Sequence, residues 1–251
     1  MSAHRRPAAV RDVSASMQRV RLMLRFLAIG ALAAALSGPA PGQARAAPSV
    51  GDCANVEVVF ARGTFEGPGV GAVGQPFVDA LRSRLSDQRV DVHAVNYPAS
   101  IDFARAADGV LDAKNHIQDL ANRCPGTQVV LGGYSQGAAV SAYVTSDIPA
   151  GYVLPAGLNG PLPRAVADRV AAVTLFGRPS PGIVSLMYRD APPITIGDSY
   201  EGKMLDLCAP ADPICQFGSF DRTAHSAYLN NGMIGQAVDF AAERILIRHR
   251  R

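Results

Sequence analysis

The sequence predicts an α/β fold, with a central, mainly parallel sheet of five strands and helices on both of its faces. Short, β-branched, almost wholly apolar runs alternate along the chain with longer amphipathic segments. This alternation is typical of buried parallel strands that are joined by crossover helices. Residues 47–251 are predicted to form a single domain, because that length matches one domain and can bury a substantial core.

The residues before this domain are predicted to be a secretory signal peptide, 1–46. The segment Arg21 to Arg25 supplies positive charge. It precedes an apolar run, Phe26 to Leu36, that is too short to span a bilayer comfortably. Ala44-Arg45-Ala46 then offers a small-residue cleavage site. Met17 is an alternative start, since the segment before it is longer and more polar than such a leader needs. A retained membrane anchor is the competing interpretation.

The elements of the domain follow in order. The predicted strands are Val56–Phe60, Val90–Asn96, Gln128–Leu131, Val170–Phe176 and Lys203–Leu207. Apolar residues at helical spacing predict helices around Phe77 to Leu85 and Val110 to Ala121, and a last amphipathic helix from about Ile234 to Ile247. Two segments rich in proline and glycine, Ser146–Pro163 and Arg178–Gly202, are predicted to be ordered surface loops beside the strand ends.

All four cysteines lie in the predicted mature domain, and an even number in an exported protein indicates disulfides. Three pairings are possible. Their order along the chain favours Cys53 with Cys124 and Cys208 with Cys215. Metal binding is the alternative, but the cysteines have neither C-x-x-C spacing nor histidines close by. We therefore expect two disulfides.

One motif points to chemistry. Gly133-Tyr134-Ser135-Gln136-Gly137 fits G-x-S-x-G, with an apolar strand before it and a helical segment after it. In this context the glycines allow a sharp strand-to-helix turn that presents the serine hydroxyl. Ser135 is therefore the candidate nucleophile. The alternative is a glycine-rich turn that carries an ordinary surface serine.

A serine hydroxyl needs a base to remove its proton, and with this motif the partners follow in the order serine, acid, histidine. His225 and His249 are the histidines that come after Ser135. His249 lies in a basic C-terminal segment, where a solvated charge run is the simpler explanation. His225 is therefore the predicted general base.

The orienting acid has more candidates. Asp212 is favoured because it lies between two prolines, within the segment bounded by Cys208 and Cys215, and a rigid loop suits a carboxylate that must hold an imidazole in one tautomer. Asp206 and Asp221 are the alternatives, although most aspartates in such places are caps or surface charges.

The oxyanion of an acyl-transfer intermediate needs hydrogen-bond donors that are in place before charge develops. The backbone N–H of Gln136, which follows the nucleophile, is one candidate. Thr64 is the second, because it lies on the loop after the first strand and offers both an N–H and a hydroxyl. The alternative for this loop is a simple glycine turn.

Together these features resemble the cutinase family, in particular the cutinase-like proteins exported by mycobacteria and related actinobacteria. The resemblance covers about Cys53 to Ile247. It rests on Phe60-Ala61-Arg62-Gly63-Thr64, Gly133-Tyr134-Ser135-Gln136-Gly137, Cys208-Ala209-Pro210-Ala211-Asp212-Pro213-Ile214-Cys215 and His225.

The resemblance implies a small α/β-hydrolase without a large lid, with both disulfides paired as above. It implies a catalytic triad of Ser135, Asp212 and His225, and it supports Thr64 and Gln136 as oxyanion donors. Fungal members more often carry serine at the position of Thr64, but threonine keeps the hydroxyl.

The expected function is that of a secreted serine esterase acting on short to medium acyl esters, with lipids or cutin-like polyesters as further substrates. The alternatives are a phospholipase or thioesterase, a protease, and a non-catalytic exported surface or antigen protein.

Neither a metal nor an organic cofactor is implied. The mature chain is close to neutral, which argues against nucleic acid as a partner. We expect a monomer, and contact with the cell envelope or a lipid surface is an open alternative. Candidate acyl-chain contacts are Ile183, Val184, Leu186, Met187, Phe217 and Phe220.

Overall fold

The computed structural model describes residues 53–147 and 160–249. Its five strands form one fully parallel sheet in the spatial order β2-β1-β3-β4-β5. The strands are β1 Val56–Ala61, β2 Val90–Ala94, β3 Gln128–Tyr134, β4 Val170–Phe176 and β5 Met204–Leu207. The predicted fold class is confirmed. The predicted leader, Met17 and most of the predicted loop Ser146–Pro163 lie outside the described residues.

Helices cover both faces of the sheet. They are α1 Gly71–Arg84, α2 Ala106–Arg123, α3 Gln136–Val144, α4 Arg164–Ala167, α5 Pro181–Met187 and α6 Met233–His249. Side chains alternate along each strand, so Val58 and Phe60 pack with α1 and α6, whereas Val59 and Ala61 pack with α2 and α3. Because all five strands are parallel, their carboxyl ends share one edge, which is where sites of open α/β sheets occur.

Strand β3 is longer than the sequence predicts. It continues past Leu131 through Gly132 and Gly133, residues of low strand propensity. Glycine fits at position 132 because the ring of Phe60 occupies the space that a side chain would need. A Cβ on Gly132 would lie 2.6 Å from Cδ2 of that ring. The strand can therefore carry its last residue, Tyr134, up to the edge of the sheet.

The segment Arg178–Gly202 is not a plain loop, and in this the prediction was incomplete. It contains helix α5 and a 3₁₀ turn, Asp198–Tyr200. The helix has only seven residues, none of them fully buried, and so short an apolar segment does not distinguish a helix from a loop by its periodicity. A proline at its start fits a helix N-terminus.

Two disulfides form, with the expected pairing. Cys53–Cys124 joins the segment before β1 to the end of α2, and Cys208–Cys215 closes a short loop directly after β5. None of the described helices has both the length and the apolar character that crossing a bilayer requires.

Candidate active site

Ser135 lies at the turn between β3 and α3. Its backbone has φ 56° and ψ −120°, a conformation that residues with a side chain rarely adopt. Its N–H donates to the carbonyl of Phe176 at the end of β4, over 2.8 Å. The turn is therefore fixed to the neighbouring strand, and strain is concentrated on the residue whose hydroxyl it presents.

The two glycines beside Ser135 permit close backbone contacts. A Cβ on Gly133 would lie 2.2 Å from the carbonyl oxygen of Gly137, and a Cβ on Gly137 would lie 2.0 Å from the carbonyl oxygen of Ala61. Any side chain at these positions would collide with backbone atoms, which cannot rotate away. Helix α3 can therefore start directly against β1 and β3.

His225 belongs to a 3₁₀ turn, Ala224–Leu229. Its Nε2 lies 2.9 Å from Oγ of Ser135. The ring of Tyr134 stacks on the imidazole with 5.0 Å between centroids, and the Tyr134 hydroxyl donates to the His225 carbonyl over 2.6 Å. The histidine is thus held through both its ring and its backbone.

Asp212 is fully buried. Nδ1 of His225 lies 2.9 Å from both of its carboxylate oxygens, the Ile214 N–H donates to Oδ1 over 2.9 Å and the Tyr228 hydroxyl donates to Oδ2 over 2.6 Å. Burial acts to raise the pKa of Asp212, but the hydrogen bonds from His225, Tyr228 and Ile214 outweigh it and hold the pKa below its usual value. The carboxylate is therefore ionised at neutral pH.

The other acids and the second histidine have different surroundings. Asp206 pairs with Arg178, whose Nε lies 2.7 Å from Oδ2. Asp221 accepts hydrogen bonds from the side chain and the N–H of Thr223, which lower its pKa. His249 ends α6, and its side chain lies outside the described part of the structure. Of the three candidate acids, Asp212 is the one with a recorded contact to His225.

Thr64 and Gln136 line the same cavity as Ser135. Gln136 is the first residue of α3, so its backbone N–H has no carbonyl partner within the helix. Its side-chain amide donates to the Ser100 carbonyl over 3.0 Å. Both predicted oxyanion donors therefore line the cavity that holds Ser135.

A buried arginine fixes the loop that carries Thr64. Arg62 donates hydrogen bonds to the carbonyls of Glu66, Val95 and Tyr97, and the Tyr97 hydroxyl donates back to the Arg62 carbonyl. Such charge-assisted contacts are stronger than neutral ones. This role of Arg62 was not predicted from the sequence. The available signal was a charged residue directly after a buried strand, β1, where charged side chains are uncommon.

The cavity beside Ser135 is mostly apolar. Its remaining lining residues are Phe103, Ala106, Ala139, Tyr143, Pro179, Val184, Met187, Tyr188, Ala191 and Ile214. Among the predicted acyl-chain contacts, Val184 and Met187 line it, whereas Ile183 does not. Leu186, Phe217 and Phe220 instead point toward solvent.

Two further residues of the site were missed from the sequence. Gly177 has φ 59°, and a Cβ there would lie 3.0 Å from Oδ2 of Asp212 and 3.1 Å from Cε1 of His225. Tyr228 contacts Asp212 directly. The available signals were a glycine at the end of a buried strand and a tyrosine three residues after His225, a spacing that aligns two side chains in a 3₁₀ turn.

Comparison with known proteins gives consistent matches. A family model described as Cutinase matches residues 52–245. The carboxylesterase Culp1 of Mycobacterium tuberculosis is 46% identical over 213 residues, which cover 84% of this chain and 90% of that protein. The phospholipase Culp4 of the same organism is 46% identical over 202 residues, 80% of this chain and 84% of that protein.

Solved structures agree. A Trichoderma reesei cutinase in complex with a C11Y4 phosphonate inhibitor is 31% identical, with a TM-score of 0.58 and coverage of 77% of both chains. An acetylxylan esterase is 25% identical, with a TM-score of 0.60 and coverage of 77% of this chain and 99% of that one.

Proposed function

The chain belongs to the cutinase family of ester hydrolases, and from the geometry around Ser135 we propose that it is an exported serine esterase that forms its acyl-enzyme on this residue. The observation that carries the proposal is the continuous set of contacts from Ser135 Oγ to His225 and on to the buried carboxylate of Asp212. These three groups supply a nucleophile, a base and an orienting acid.

In the proposed reaction, Nε2 of His225 accepts the hydroxyl proton as Ser135 Oγ attacks the ester carbonyl carbon. The imidazolium then donates this proton to the departing alcohol, which leaves an acyl group on Ser135. Water attacks the acyl carbon while His225 takes one of its protons, and the imidazolium then returns this proton to Ser135 Oγ as the bond between Oγ and the acyl carbon breaks, which releases the carboxylic acid and restores the free serine. Asp212 stays ionised throughout and stabilises the imidazolium.

The tetrahedral intermediates of both steps carry a negative oxygen. We assign its hydrogen-bond donors to the Gln136 N–H and to the N–H and hydroxyl of Thr64. Support comes from their place in one cavity with Ser135 and from the Arg62 hydrogen bonds that fix the Thr64 loop before substrate arrives. Donors that need no rearrangement stabilise developing charge most effectively.

The acyl group is assigned to the apolar cavity between α3 and α5. Ala139 and Tyr143 line it from α3, and Val184 and Met187 line it from α5. A cavity lined by the large side chains of Tyr143 and Met187 suits short to medium acyl chains. The proposed chemistry needs no metal or organic cofactor.

The direct test is hydrolysis of p-nitrophenyl esters from acetate to laurate by the oxidised mature protein. The proposal predicts activity that peaks at a short or medium chain and is lost in Ser135→Ala. Ser83→Ala, which removes a hydroxyl from α1 away from the site, is the matched control and should keep full activity. A Ser135→Ala protein as active as the control would refute the assignment.

A lipid substrate is the second candidate, and exposed apolar side chains favour it. Eight large hydrophobic residues are exposed among the described ones, and all but Ile247 lie on segments that carry or adjoin the site. We call the six that precede His225 in the chain the apolar rim: Phe65, Ile101, Leu186, Met187, Phe217 and Phe220. Exposed apolar clusters of this kind commonly mark contact surfaces. The relative named a phospholipase is consistent with this candidate.

The rim is tested with Phe220→Ser, because this ring is 92% exposed and its loss removes little packing. Rates are measured on phosphatidylcholine vesicles and on soluble p-nitrophenyl butyrate. If lipid is a substrate and the rim binds its surface, the ratio of vesicle to soluble activity falls in the variant. An unchanged ratio, or no vesicle hydrolysis by the wild type, would remove this candidate.

Export is proposed from the leader-like residues 1–46 and from the two disulfides, which persist in oxidising compartments. Expression of the full chain in an actinobacterial host should release a protein that begins at Ala47. An N-terminus that retains the apolar run Phe26 to Leu36 would favour an anchor instead. Size-exclusion chromatography tests the expected monomer.

A further inference from the structure

Tyr228 lies behind the acid of the proposed triad and has no role in the steps above. Its side chain is fully buried. The hydroxyl lies 2.6 Å from Oδ2 of Asp212, 3.0 Å from the N–H of Ala209 and 3.6 Å from Sγ of Cys215. The ring also meets the His225 imidazole edge to face, with 6.4 Å between centroids.

These contacts fix the direction of the hydroxyl proton. The Ala209 N–H can only donate, so the Tyr228 oxygen accepts from it. Cys215 is bonded to Cys208 and its sulfur has no proton to give. The hydroxyl proton is therefore directed at Oδ2 of Asp212, the strongest acceptor in reach.

From this geometry we propose that Tyr228 is a positioning residue of the esterase: its hydroxyl locks the plane of the Asp212 carboxylate and moderates how strongly that carboxylate holds the imidazolium form of His225. The inference rests on the proposed function. It extends the chain of contacts to four residues, in the order Ser135, His225, Asp212 and Tyr228.

Two effects follow from removing the hydroxyl, and both act in the same direction. The carboxylate would lose one of the hydrogen bonds that keep the pKa of Asp212 low, so Asp212 would protonate more readily. While Asp212 is still ionised, its charge would be offset by one hydrogen bond fewer. It would therefore attract the imidazolium more strongly and favour the protonated form of His225. Both changes move the loss of activity at low pH to a higher pH.

The test compares pH profiles of kcat/KM for p-nitrophenyl butyrate in the wild type and in Tyr228→Phe. We expect the acid limb to move to higher pH and kcat to fall by about ten- to a hundredfold, as for the loss of one hydrogen bond to a charged group. Tyr200→Phe is the matched control, because Tyr200 is also buried but its hydroxyl has no hydrogen-bond partner within the described structure. Its profile should match the wild type.

A second substitution keeps the hydroxyl and so guards against a folding defect. Site-specific 3,5-difluorotyrosine in place of Tyr228 makes the phenol a stronger donor. Burial, together with the hydrogen bond to Asp212, raises the pKa of Tyr228, so the fluorinated phenol should stay protonated near neutral pH. The acid limb should then move to lower pH, opposite to the shift in Tyr228→Phe.

The two substitutions together decide the matter. Opposite shifts of the acid limb support the proposal. A limb that stays in place in both proteins overturns it, even if Tyr228→Phe is less active or less stable, since that would be a structural role alone. Wild-type activity that survives in Ser135→Ala would instead refute the underlying triad, which separates the two failures.

Discussion

Oγ of Ser135 and Nε2 of His225 lie 2.9 Å apart although 90 positions separate them in the chain. The sheet brings them together: β3 ends directly before the serine, β4 and then β5 follow on one side of it, and the chain after β5 carries His225 back to the carboxyl ends of the strands. The contact therefore depends on the parallel order of the strands and on the loops that hold each residue. Each of these supports can be tested separately.

The glycines at the serine turn should be intolerant of any side chain. Gly137→Ala would place a Cβ against the Ala61 carbonyl, so we expect a loss of more than about 2 kcal/mol in unfolding free energy, in the range of overpacked sites. Gly235→Ala is the control, since a Cβ there meets no atom within 4 Å and alanine favours the helix. Urea denaturation measures both. Equal stability of the two variants would contradict the account.

Asp212 should contribute both to activity and to stability at neutral pH. Replacing it with asparagine removes the charge that stabilises the imidazolium, and kcat should fall by about 10³- to 10⁴-fold, as in other triads. Stopped assays at pH 8 measure this loss. A decrease of less than tenfold would mean that another acid orients His225.

The same carboxylate links folding to pH. Its pKa is lower in the folded protein than in the unfolded chain, so its stabilisation is present above the unfolded value of about 3.9 and is lost as pH falls through the folded value. The difference in unfolding free energy between the wild type and Asp212→Asn should therefore shrink as the solution is acidified. A constant difference down to pH 2 would contradict this.

The two disulfides should differ in their effects. Cys53–Cys124 spans 71 positions and Cys208–Cys215 spans 7. In the chain-entropy model, replacing each pair by serine costs about 4.4 and about 2.5 kcal/mol of stability, respectively. The short bridge encloses Asp212, so its loss should reduce kcat more. The long bridge should therefore matter more for stability and the short bridge more for kcat. Thermal unfolding and ester assays of both double variants test this, and a larger kcat loss in the variant without the long bridge would refute it.

Acyl-chain preference should follow the cavity walls. Ala139→Leu adds bulk one helical turn after Ser135 and should shift the optimum toward acetate, whereas Val184→Ala enlarges the cavity from α5 and should shift it toward longer esters. The ratio of kcat/KM for hexanoate to that for acetate reports both effects. A common direction of change in the two variants would show that the acyl group binds elsewhere.

Much of the fold could be predicted from the sequence, because buried parallel strands are continuous apolar runs and Val170–Phe176 or Val56–Ala61 show this directly. Helix α5 could not, since it packs at the surface without a buried face. The extension of β3 was missed because Gly132 belongs there for the room it leaves to Phe60, a contact between strands that local propensity does not contain.

The candidate site was predictable to the extent that its residues stand in motifs. Ser135 and Asp212 have distinctive neighbours in the sequence, and His225 followed by elimination. Tyr228 contacts Asp212, and Arg62 contacts the Val95 carbonyl. These contacts exist only once the chain is folded. The apolar cavity likewise combines distant segments, so four of the six predicted acyl contacts lie outside it.

The central claim, that Ser135 is the nucleophile, is tested most directly by covalent labelling. The oxidised protein is treated with an alkyl fluorophosphonate, and the modified peptide is identified by mass spectrometry, with Ser135→Ala alongside. The account predicts one phosphonyl group per chain, attached to Ser135, and no labelling of the variant. An unlabelled wild type that is folded with both disulfides, or a label that persists in Ser135→Ala, would contradict it and favour a non-catalytic exported protein or a different nucleophile.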